Sequence, residues 1–464
     1  MYEDGAWMQN KKIYLLNPWI HDFSAYDFWV KPLGLLTLAA FLRRAGFKVQ
    51  VIDCLDPGLA VRVPGSPSGS RKRQDWGCGK FPSEEISKPE ALRPIRKRYR
   101  RYGLSPKALQ QILATADRPD LVLVGSMMTY WYPGVVEAIG EVRTAWPGVP
   151  VLLGGNYATL CPEHARAFSG ADVVIAGDGE FALPAVLGDL FGDRVDFDFD
   201  GSDLDSYPYP AMDLMGRLDA VPILTSRGCP YRCSYCASKL LNRGFRMRDP
   251  LRVVDEIEHW SRTRGVRNFA FYDDALLVNS TDRAAPMLEE IIRRDLEANF
   301  HCPNGLHIRE MTPRLAKLLF GAGFRTIRFG FETASAARQA ATGGKVTTEE
   351  LRQSVAYLQE AGYGRADIGV YLLCGLPGQE SSEIEAGIDL VRGLGAKPIL
   401  AEYSPIPGTP LWDEALRHAR YDIGKEPLFH NNSLLPCLRP DISTADFQAL
   451  KSRTRLGLQE KGSH

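Results

Sequence analysis

The chain has 464 residues, of which 45% are hydrophobic and 24% charged, and its 56 Lys and Arg residues balance 56 Asp and Glu residues. This length suits two or three domains, each with its own core. A net charge of zero argues against a protein built mainly to coat nucleic acid or a membrane, and the longest apolar stretches are too short to span a bilayer.

The first residues carry neither the basic segment nor the apolar core of a signal peptide, so we expect no secretion leader. Nine cysteines in a chain of this kind are more naturally reduced thiols and metal ligands than disulfides. These features predict a cytoplasmic protein.

The N-terminal part alternates short apolar strands with helices. Strands are predicted at 12–16, 49–53, 121–125, 150–153 and 172–176, and helices at 33–44, near 134–145 and near 162–168. A segment rich in Pro, Gly, Ser and basic residues, about 59–118, interrupts the alternation. Strands separated by helices predict a parallel, doubly wound α/β sheet of the Rossmann type.

A linker rich in Asp, Tyr and Pro, at 196–212, precedes a second α/β run. Its predicted strands are 221–226, 268–272, 299–303, 326–331, 367–373 and 400–403, with helices such as 250–262 and 348–361 between them. Six βα units predict a TIM-like partial (β/α)6 barrel, whose chemistry lies at the carboxyl ends of the strands. We therefore expect domains at 1–200 and 205–415 and a small C-terminal extension at 416–464, with helical pattern near 444–459.

Three cysteines, Cys229, Cys233 and Cys236, lie within eight residues just after a predicted strand. They supply three thiolate ligands, whereas a closed tetrahedral site or a fully protein-bound cubane needs four. An open coordination position is what a reactive iron–sulfur cluster requires. The alternative is a zinc knuckle completed by a distant ligand.

The cysteine spacing, with the aromatic Tyr235 before the last cysteine, resembles the motif of the radical SAM superfamily. The resemblance covers about residues 220–412. It implies a [4Fe–4S] cluster whose free iron binds S-adenosylmethionine (SAM), and a one-electron cleavage that yields a 5′-deoxyadenosyl radical. It also implies an external reductant of the flavodoxin or ferredoxin type.

The same resemblance implies SAM contacts at the ends of later strands. Many members have a Gly-Gly-Glu variant where this chain has Asp273-Asp274. A polar contact follows the fourth strand, and a glycine-containing segment beside the adenine follows the fifth. The residues expected to bind SAM are Tyr235, Asp273, Asp274, Glu332, Gly375 and Leu376.

The N-terminal domain resembles the cobalamin-binding domain found in one branch of that superfamily. Asp53-Cys-Leu55-Asp-Pro-Gly58 matches the ends of the family's Asp-x-His-x-x-Gly pattern, but Leu55 occupies the histidine position. The resemblance therefore implies cobalamin without a lower axial histidine. The residues expected to contact it are Asp53, Leu55, Gly58, Ser126, Met127, Tyr130, Gly154 and Gly155.

Other features admit two interpretations. The basic run Arg93–Arg101, interleaved with Tyr99 and followed by Tyr102, suits stacking on bases or an anionic substrate, or else a solvated helical face. Cys78 is a reactive thiol, an extra metal ligand or incidental. His301, Cys302 and His307, near the third barrel strand, lie where substrate-facing residues belong, although single histidines are more often structural.

The leading functional hypothesis is a cobalamin-dependent radical SAM methyltransferase that methylates an unactivated carbon of a small-molecule or peptide substrate. The second is a radical rearrangement or cyclisation without methyl transfer, with or without cobalamin. A third, of another class, is a zinc-stabilised nucleic-acid-binding module. The sequence does not identify the substrate.

Overall fold

The structure is a computed structural model, and it describes residues 10–56, 58–59, 75–216 and 218–455. The chain divides into two compact units. Unit 1 runs to Val221 and includes Leu240–Arg243 and Glu426–Leu428, and unit 2 contains the rest. Across the described ranges, no helix is both long and apolar enough to cross a membrane.

Unit 1 is built on a five-stranded parallel sheet of order β3-β1-β6-β7-β8. This confirms the predicted doubly wound sheet. The strands of the unit are β1 (Lys12–Asn17), β2 (Ile20–Asp22), β3 (Lys48–Asp53), β4 (Ser83–Glu85), β5 (Arg100–Tyr102), β6 (Leu121–Val124), β7 (Val151–Leu153) and β8 (Val173–Val174). Its helices are α1 (Leu33–Arg44), α2 (Pro106–Thr115), α3 (Tyr132–Ala145), α4 (Asn156–Leu160), α5 (Pro162–Phe168) and α6 (Gly179–Phe191).

Alternation of side chains along β1 gives this sheet two buried faces. Tyr14 and Leu16 belong to one apolar core, whereas Ile13 and Leu15 belong to the core on the opposite face. β1 lies between β3 and β6, so the side of the sheet on which successive strands are added switches at β1. Doubly wound sheets bind ligands at the carboxyl ends of the strands beside such a reversal.

The segment that interrupts the sheet pattern forms a sheet of its own. Strands β2, β5 and β4 pair antiparallel in that order. The linker residues also differ from expectation, because Phe197, Phe199 and Tyr207 pack around Phe41 of helix α1. This stretch therefore completes the core of unit 1 instead of bridging two domains in solvent.

Unit 2 is built on a six-stranded sheet in which the strands follow one another in chain order. Strands β12 to β16 pair with their neighbours in parallel, in agreement with the predicted βα units. The strands are β9 (Val221–Ile223), β10 (Ser226–Arg227), β11 (Arg246–Met247), β12 (Asn268–Phe271), β13 (Asn299–His301), β14 (Phe324–Glu332), β15 (Ile368–Cys374) and β16 (Lys397–Glu402), of which β10 and β11 form a separate antiparallel pair. The helices are α7 (Ser238–Leu241), α8 (Pro250–Arg264), α9 (Ala284–Arg293), α10 (Pro313–Gly321), α11 (Ala336–Ala341), α12 (Thr348–Glu360), α13 (Ser381–Gly393), α14 (Trp412–His418) and α15 (Thr444–Arg453).

The end of the chain packs onto unit 2. Ile423 and Cys437 share an apolar cluster with Leu376 and Tyr403, which follow β15 and β16. Helix α15 is tied to α13 because Arg453 pairs with the carboxylates of Glu385 and Asp389. The predicted C-terminal helix extends to Arg453, and its expected continuation over 456–459 lies outside the described residues.

Candidate active site

The cysteine loop, residues 228–237, begins directly after β10. Gly228 turns the chain with a φ of +80°, a conformation that side chains other than glycine rarely adopt. Within the loop, the backbone N–H of Cys236 donates to the carbonyl of Cys233 at 3.2 Å. The loop thus presents Cys229, Cys233 and Cys236 together near the carboxyl end of the sheet.

The three thiols lie close enough to influence one another electrostatically; Cys229 and Cys233 are partly buried, and Cys236 is exposed. Burial raises the pKa of Cys229 to about 11, with further increases from Asp274, Cys233 and Cys236. The Sγ of Cys236 accepts a hydrogen bond from the backbone N–H of Ser238 at 3.4 Å. Groups with raised pKa values favour protonation unless a cation holds them as thiolates.

The cysteine loop suits a cluster of iron atoms better than a single metal ion. In the described part of the chain, no three His, Cys, Asp or Glu side chains converge closely enough to hold a single metal ion. A cubane cluster does not need that convergence, because each thiolate binds a different iron atom. Three neighbouring thiols on one loop therefore fit a [4Fe–4S] cluster with one iron left open.

A second loop, residues 342–345, packs on the cysteine loop. The carbonyl of Thr342 accepts a hydrogen bond from the Ser234 N–H at 3.2 Å. Gly343 has a φ of +118°, and a Cβ there would lie 3.2 Å from the Cα of Cys233. Glycine at this position therefore permits the close approach of the two loops.

Lys345, at the end of that loop, was not singled out in the sequence. Its Nζ lies 2.5 Å from Oε1 of Glu332 and 5.8 Å from the ring centroid of Tyr235. Burial lowers the pKa of Lys345, but Glu332, Cys233 and Cys236 outweigh this effect and the net shift is upward. The sequence held one signal, the Gly-Gly pair before the lysine, but no spacing rule connected it to the cysteines.

Glu332 ends β14 in a strained conformation. Its φ is +72°, which is unusual for any residue other than glycine. Gly330 makes room for its side chain, since a Cβ at Gly330 would lie 2.9 Å from Oε1 of Glu332 and 3.0 Å from Nζ of Lys345. The predicted SAM contact Glu332 and the predicted Tyr235 are thus brought to the cysteine loop together with Lys345.

Asp273 and Asp274 connect β12 to the cysteine loop. Oδ1 of Asp273 accepts bonds from the N–H of Thr225 at 2.9 Å, its hydroxyl at 2.7 Å and the hydroxyl of Ser226 at 2.7 Å. Burial raises the pKa of Asp273 to about 6 despite these bonds. Asp274 accepts a bond from the hydroxyl of Ser238 at 2.5 Å, on the far side of the loop. The two carboxylates therefore hold both ends of the loop.

The predicted adenine segment forms a tight turn after β15. Gly375 has a φ of +80°, and buried Gln379 accepts a bond from the Leu376 N–H at 3.2 Å and donates to the Leu373 carbonyl at 2.9 Å. The side chain of Leu376 is buried in an apolar cluster. Any contact from Leu376 to a ligand would therefore use its backbone.

In unit 1, the expected cobalamin contacts that follow β6 and β7 meet at the carboxyl edge of the sheet. The hydroxyl of Ser126 donates to the Gly154 carbonyl at 2.7 Å, and the Ser126 carbonyl accepts from the Asn156 N–H at 2.9 Å. Tyr130 is buried near this edge, and Met127 is partly exposed. Ser126, Gly154 and Gly155 therefore leave little side-chain bulk where β6 and β7 end, and the larger Met127 and Met128 follow Ser126.

The residues of the Asp-x-His-x-x-Gly pattern are arranged differently. Asn17 donates to Oδ1 of Asp53 at 2.6 Å, the Leu55 N–H donates to the same atom at 2.9 Å, and burial raises the pKa of Asp53 to about 6. Leu55 packs in an apolar cluster with Phe81 and Tyr102. The Gly58 N–H donates to Asp56 at 2.7 Å. The structure thus places Asp53 at the sheet edge and directs Leu55 into a local core.

The prediction that Tyr99 and Tyr102 stack on bases or an anionic substrate is wrong. Their relative exposures are 1% and 6%. Arg100–Tyr102 form the short strand β5, whereas the basic residues Arg93, Arg96, Lys97 and Arg98 are exposed outside any helix. Arg101 of this strand is also engaged, as it pairs with Glu84 at 2.6 Å and with Glu137.

Most of the other residues for which the sequence admits two interpretations have structural roles. Cys302 and His301 are buried, and Nδ1 of His301 lies 3.1 Å from the Thr326 hydroxyl. Cys78 is partly exposed, and the Tyr26 hydroxyl lies 3.7 Å from its Sγ. His307 is the exception, since its Nε2 lies 3.6 Å from Sγ of Cys229.

Comparisons with known proteins support both halves of this arrangement. Residues 223–391 match the radical SAM superfamily and residues 100–187 match the B12 binding domain. An uncharacterised methyltransferase of Pyrococcus horikoshii is 25% identical over 328 residues, covering 64% of this chain and 70% of the relative. The anaerobic magnesium-protoporphyrin IX monomethyl ester cyclase of Cereibacter sphaeroides is 27% identical over 372 residues, covering 70% of this chain and 57% of that enzyme.

A solved structure supports the fold along nearly the whole chain. The radical SAM methyltransferase TsrM of Kitasatospora setae, solved with tryptophan and a SAM analogue, superposes with a TM-score of 0.66 at 18% identity. The match covers 96% of this chain and 89% of TsrM.

Proposed function

The chain belongs to the radical SAM superfamily and carries a B12-binding domain, and from this we propose that it methylates an unactivated carbon of a small-molecule or peptide substrate. The observation that carries the proposal is that the three thiols lie at one end of the unit 2 sheet, together with the Lys345–Glu332 pair and Asp274. When bound, the two cofactors supply one-electron cleavage of SAM at the cluster and methyl transfer through cobalamin.

Within this proposal the cysteines hold the cluster and the polar residues around them hold SAM. Lys345 carries a positive charge beside Cys233 and Cys236 and suits a carboxylate. Glu332 and Asp274 offer carboxylate oxygens to an ammonium group. Asp273 is saturated at one oxygen by Thr225 and Ser226, so its role is to position the loop.

In unit 1 we assign the backbone after β6 and β7, at Ser126, Gly154 and Gly155, to the nucleotide tail of cobalamin. The absence of side-chain bulk there supports close approach of a ligand. Leu55 offers no ligand to cobalt, which leaves the lower face of the corrin without a histidine from this position.

A radical cyclisation without methyl transfer is the second candidate. The similarity to a magnesium-protoporphyrin ester cyclase favours it, because that relative is named for ring formation. The two candidates use the same cluster site and differ in the fate of the SAM methyl group.

Anaerobic reconstitution with iron, sulfide and cobalamin, followed by incubation with SAM and a strong reductant, tests the proposal. Methyl transfer predicts both S-adenosylhomocysteine and 5′-deoxyadenosine, whereas cyclisation predicts 5′-deoxyadenosine alone. Cys233→Ala should lose iron, sulfide and SAM cleavage, and Cys161→Ser, in unit 1, is the matched control that should retain them. Purified protein with one zinc and no iron or sulfide would overturn both candidates.

We also propose a cytoplasmic location and an electron donor of the flavodoxin or ferredoxin type. The nine cysteines, all within the described residues, form no disulfide with one another, which suits a reducing compartment. Purified flavodoxin or ferredoxin, each supplied with its reductase in place of the chemical reductant, should support SAM cleavage. The absence of cleavage with both protein donors would contradict this assignment.

A further inference from the structure

We propose that His307 is a positioning residue that donates a hydrogen bond from Nε2 to Sγ of Cys229 and thereby raises the reduction potential of the cluster. The inference rests on the proposed function, because it concerns the cluster that Cys229 is proposed to hold. It adds a residue outside the cysteine motif to the electron-accepting step.

The direction of the bond follows from the chemistry of the two atoms. Nε2 of His307 and Sγ of Cys229 are 3.6 Å apart, a distance suited to an N–H···S bond. A cysteine that ligates iron is a thiolate and has no proton to donate. The imidazole must therefore be the donor, which requires the tautomer protonated at Nε2.

The backbone before His307 is fixed to the sheet. The Leu306 N–H donates to the carbonyl of Arg328 at 2.8 Å, and Leu306 forms a parallel bridge with Phe329 of β14. Because β14 is a central strand of unit 2, the backbone position of His307 is set by the sheet.

The imidazole ring is also held by the cysteine loop. Tyr231, two residues after Cys229, meets the His307 ring edge to face, with centroids 4.4 Å apart and planes at 75°. The Tyr231 hydroxyl in turn donates to Oε1 of Glu310 at 3.2 Å. Two side chains of the 307–310 segment thus reach the cysteine loop, and rotation of the imidazole away from Cys229 would lose the aromatic contact.

A hydrogen bond of this kind favours the reduced cluster. Reduction adds negative charge that spreads onto the ligating sulfurs, and an N–H dipole aimed at a sulfur stabilises that charge. Partial burial of His307 strengthens the effect, since less water screens the bond. Packing alone would hold the loop but would not shift the potential.

The test is the midpoint potential of the cluster, followed by EPR during a redox titration in the absence of SAM. His307→Phe keeps an aromatic ring but has no donor, so its midpoint should be more negative than that of the wild type. His307→Gln retains an N–H donor, so its midpoint potential should lie between those of His307→Phe and the wild type. His418→Phe, on exposed helix α14, should leave the midpoint unchanged. Equal midpoints for the wild type and His307→Phe would overturn the inference.

A second measurement needs no variant that alters the cluster site. Wild-type protein grown with ¹⁵N-labelled histidine should show a weak ¹⁵N coupling to the reduced cluster in pulsed EPR spectra. Absence of that coupling in protein with full iron and sulfide content would also overturn the inference. Failure of the cluster assignment is distinguished beforehand, because wild-type protein would then bind no iron or sulfide. Failure of methyl transfer alone would leave the cluster, and therefore this test, intact.

Discussion

Gly155 lies so close to Ser126 that a Cβ at Gly155 would be 2.2 Å from the Ser126 carbonyl oxygen. The same oxygen accepts the Asn156 N–H at 2.9 Å, so the residues after β6 and β7 are held together through one backbone atom. Gly155 also has a φ of +97°. This position excludes a side chain for both conformational and steric reasons.

Gly155→Ala should therefore destabilise unit 1 and weaken cobalamin binding. A non-glycine residue in this conformation costs on the order of 1–3 kcal/mol, before the steric overlap is counted. Thermal unfolding and retention of cobalamin after gel filtration would measure the two effects. Gly140→Ala is the matched control, since a Cβ there meets nothing within 4 Å and its helical position favours alanine. Normal cobalamin retention by Gly155→Ala would contradict the assignment of this edge.

Lys345→Met should lower both stability and SAM affinity. Its removal leaves Glu332, whose side chain is 11% exposed, without its cation, and removing one partner of a buried pair typically costs about 3–5 kcal/mol. The double variant Glu332→Gln/Lys345→Met should regain much of the stability without regaining SAM affinity. Equilibrium SAM binding to cluster-loaded protein and chemical unfolding separate the effects.

The control for that series is Lys425→Met, because the side chain of Lys425 is 86% exposed and pairs only with nearby Asp422 among the described ion pairs. Exposed pairs of this kind contribute about 0–1 kcal/mol. SAM affinity that is unchanged in Lys345→Met would show that the lysine supports only the fold.

The free energy of unfolding of unit 2 should fall as the pH rises from about 4 to about 6, because Asp273 loses its proton in this range. Its ordinary pKa is 3.8 and burial raises it to about 6 in the folded chain, so the folded state binds more protons in this window. The stabilisation by the bound proton is complete below the ordinary value and is lost as the pH passes the folded value. Asp273→Asn should remove this dependence and be more stable at pH 7, by up to about 3 kcal/mol.

Unfolding of wild-type and Asp273→Asn protein across pH 4 to pH 7 would measure this difference. Asn retains an acceptor oxygen for Thr225 and Ser226, so the cysteine loop should stay in place. Parallel stability curves for the two proteins would show that the carboxyl group is not buried as described.

Leu55→His should not create a cobalt ligand. Leu55 is 7% exposed and packs with Phe81 and Tyr102 in a local core, so a histidine there would be directed into apolar side chains. The expected result is lower stability, by about 1–3 kcal/mol for burial of the polar ring, with no histidine nitrogen coupling in the EPR spectrum of bound Co(II). Leu55→Met is the volume-matched control, and a clear nitrogen coupling in Leu55→His would contradict this description.

The sheets of both units could be predicted because their strands are apolar and alternate with helices. The 12–16 and 121–125 segments, for example, correspond to β1 and β6. The strands of the insertion could not be predicted, since β4 and β5 are each three residues long and charged. Burial of Arg101 depends on Glu84 and Glu137, which no local pattern identifies as its partners.

The candidate site divides in the same way. The cysteines are close in sequence, so their spacing alone indicates a common site. His307 is 78 residues from Cys229, and Lys345 reaches the thiols only because β14 returns the chain to the same end of the sheet. Contacts of this kind are set by tertiary packing and carry no sequence period.

The contact between the Ser234 N–H and the Thr342 carbonyl has a consequence for biosynthesis. The cysteine loop leaves the ribosome well before the residues of β14 and the 342–345 loop that cover it. A nascent chain therefore exposes three reactive thiols while the neighbouring lysine and glycines are not yet made. Delivery of iron and sulfide is accordingly expected to follow the completion of unit 2, and chains truncated before Gly343 should bind less iron and sulfide than the full chain on reconstitution.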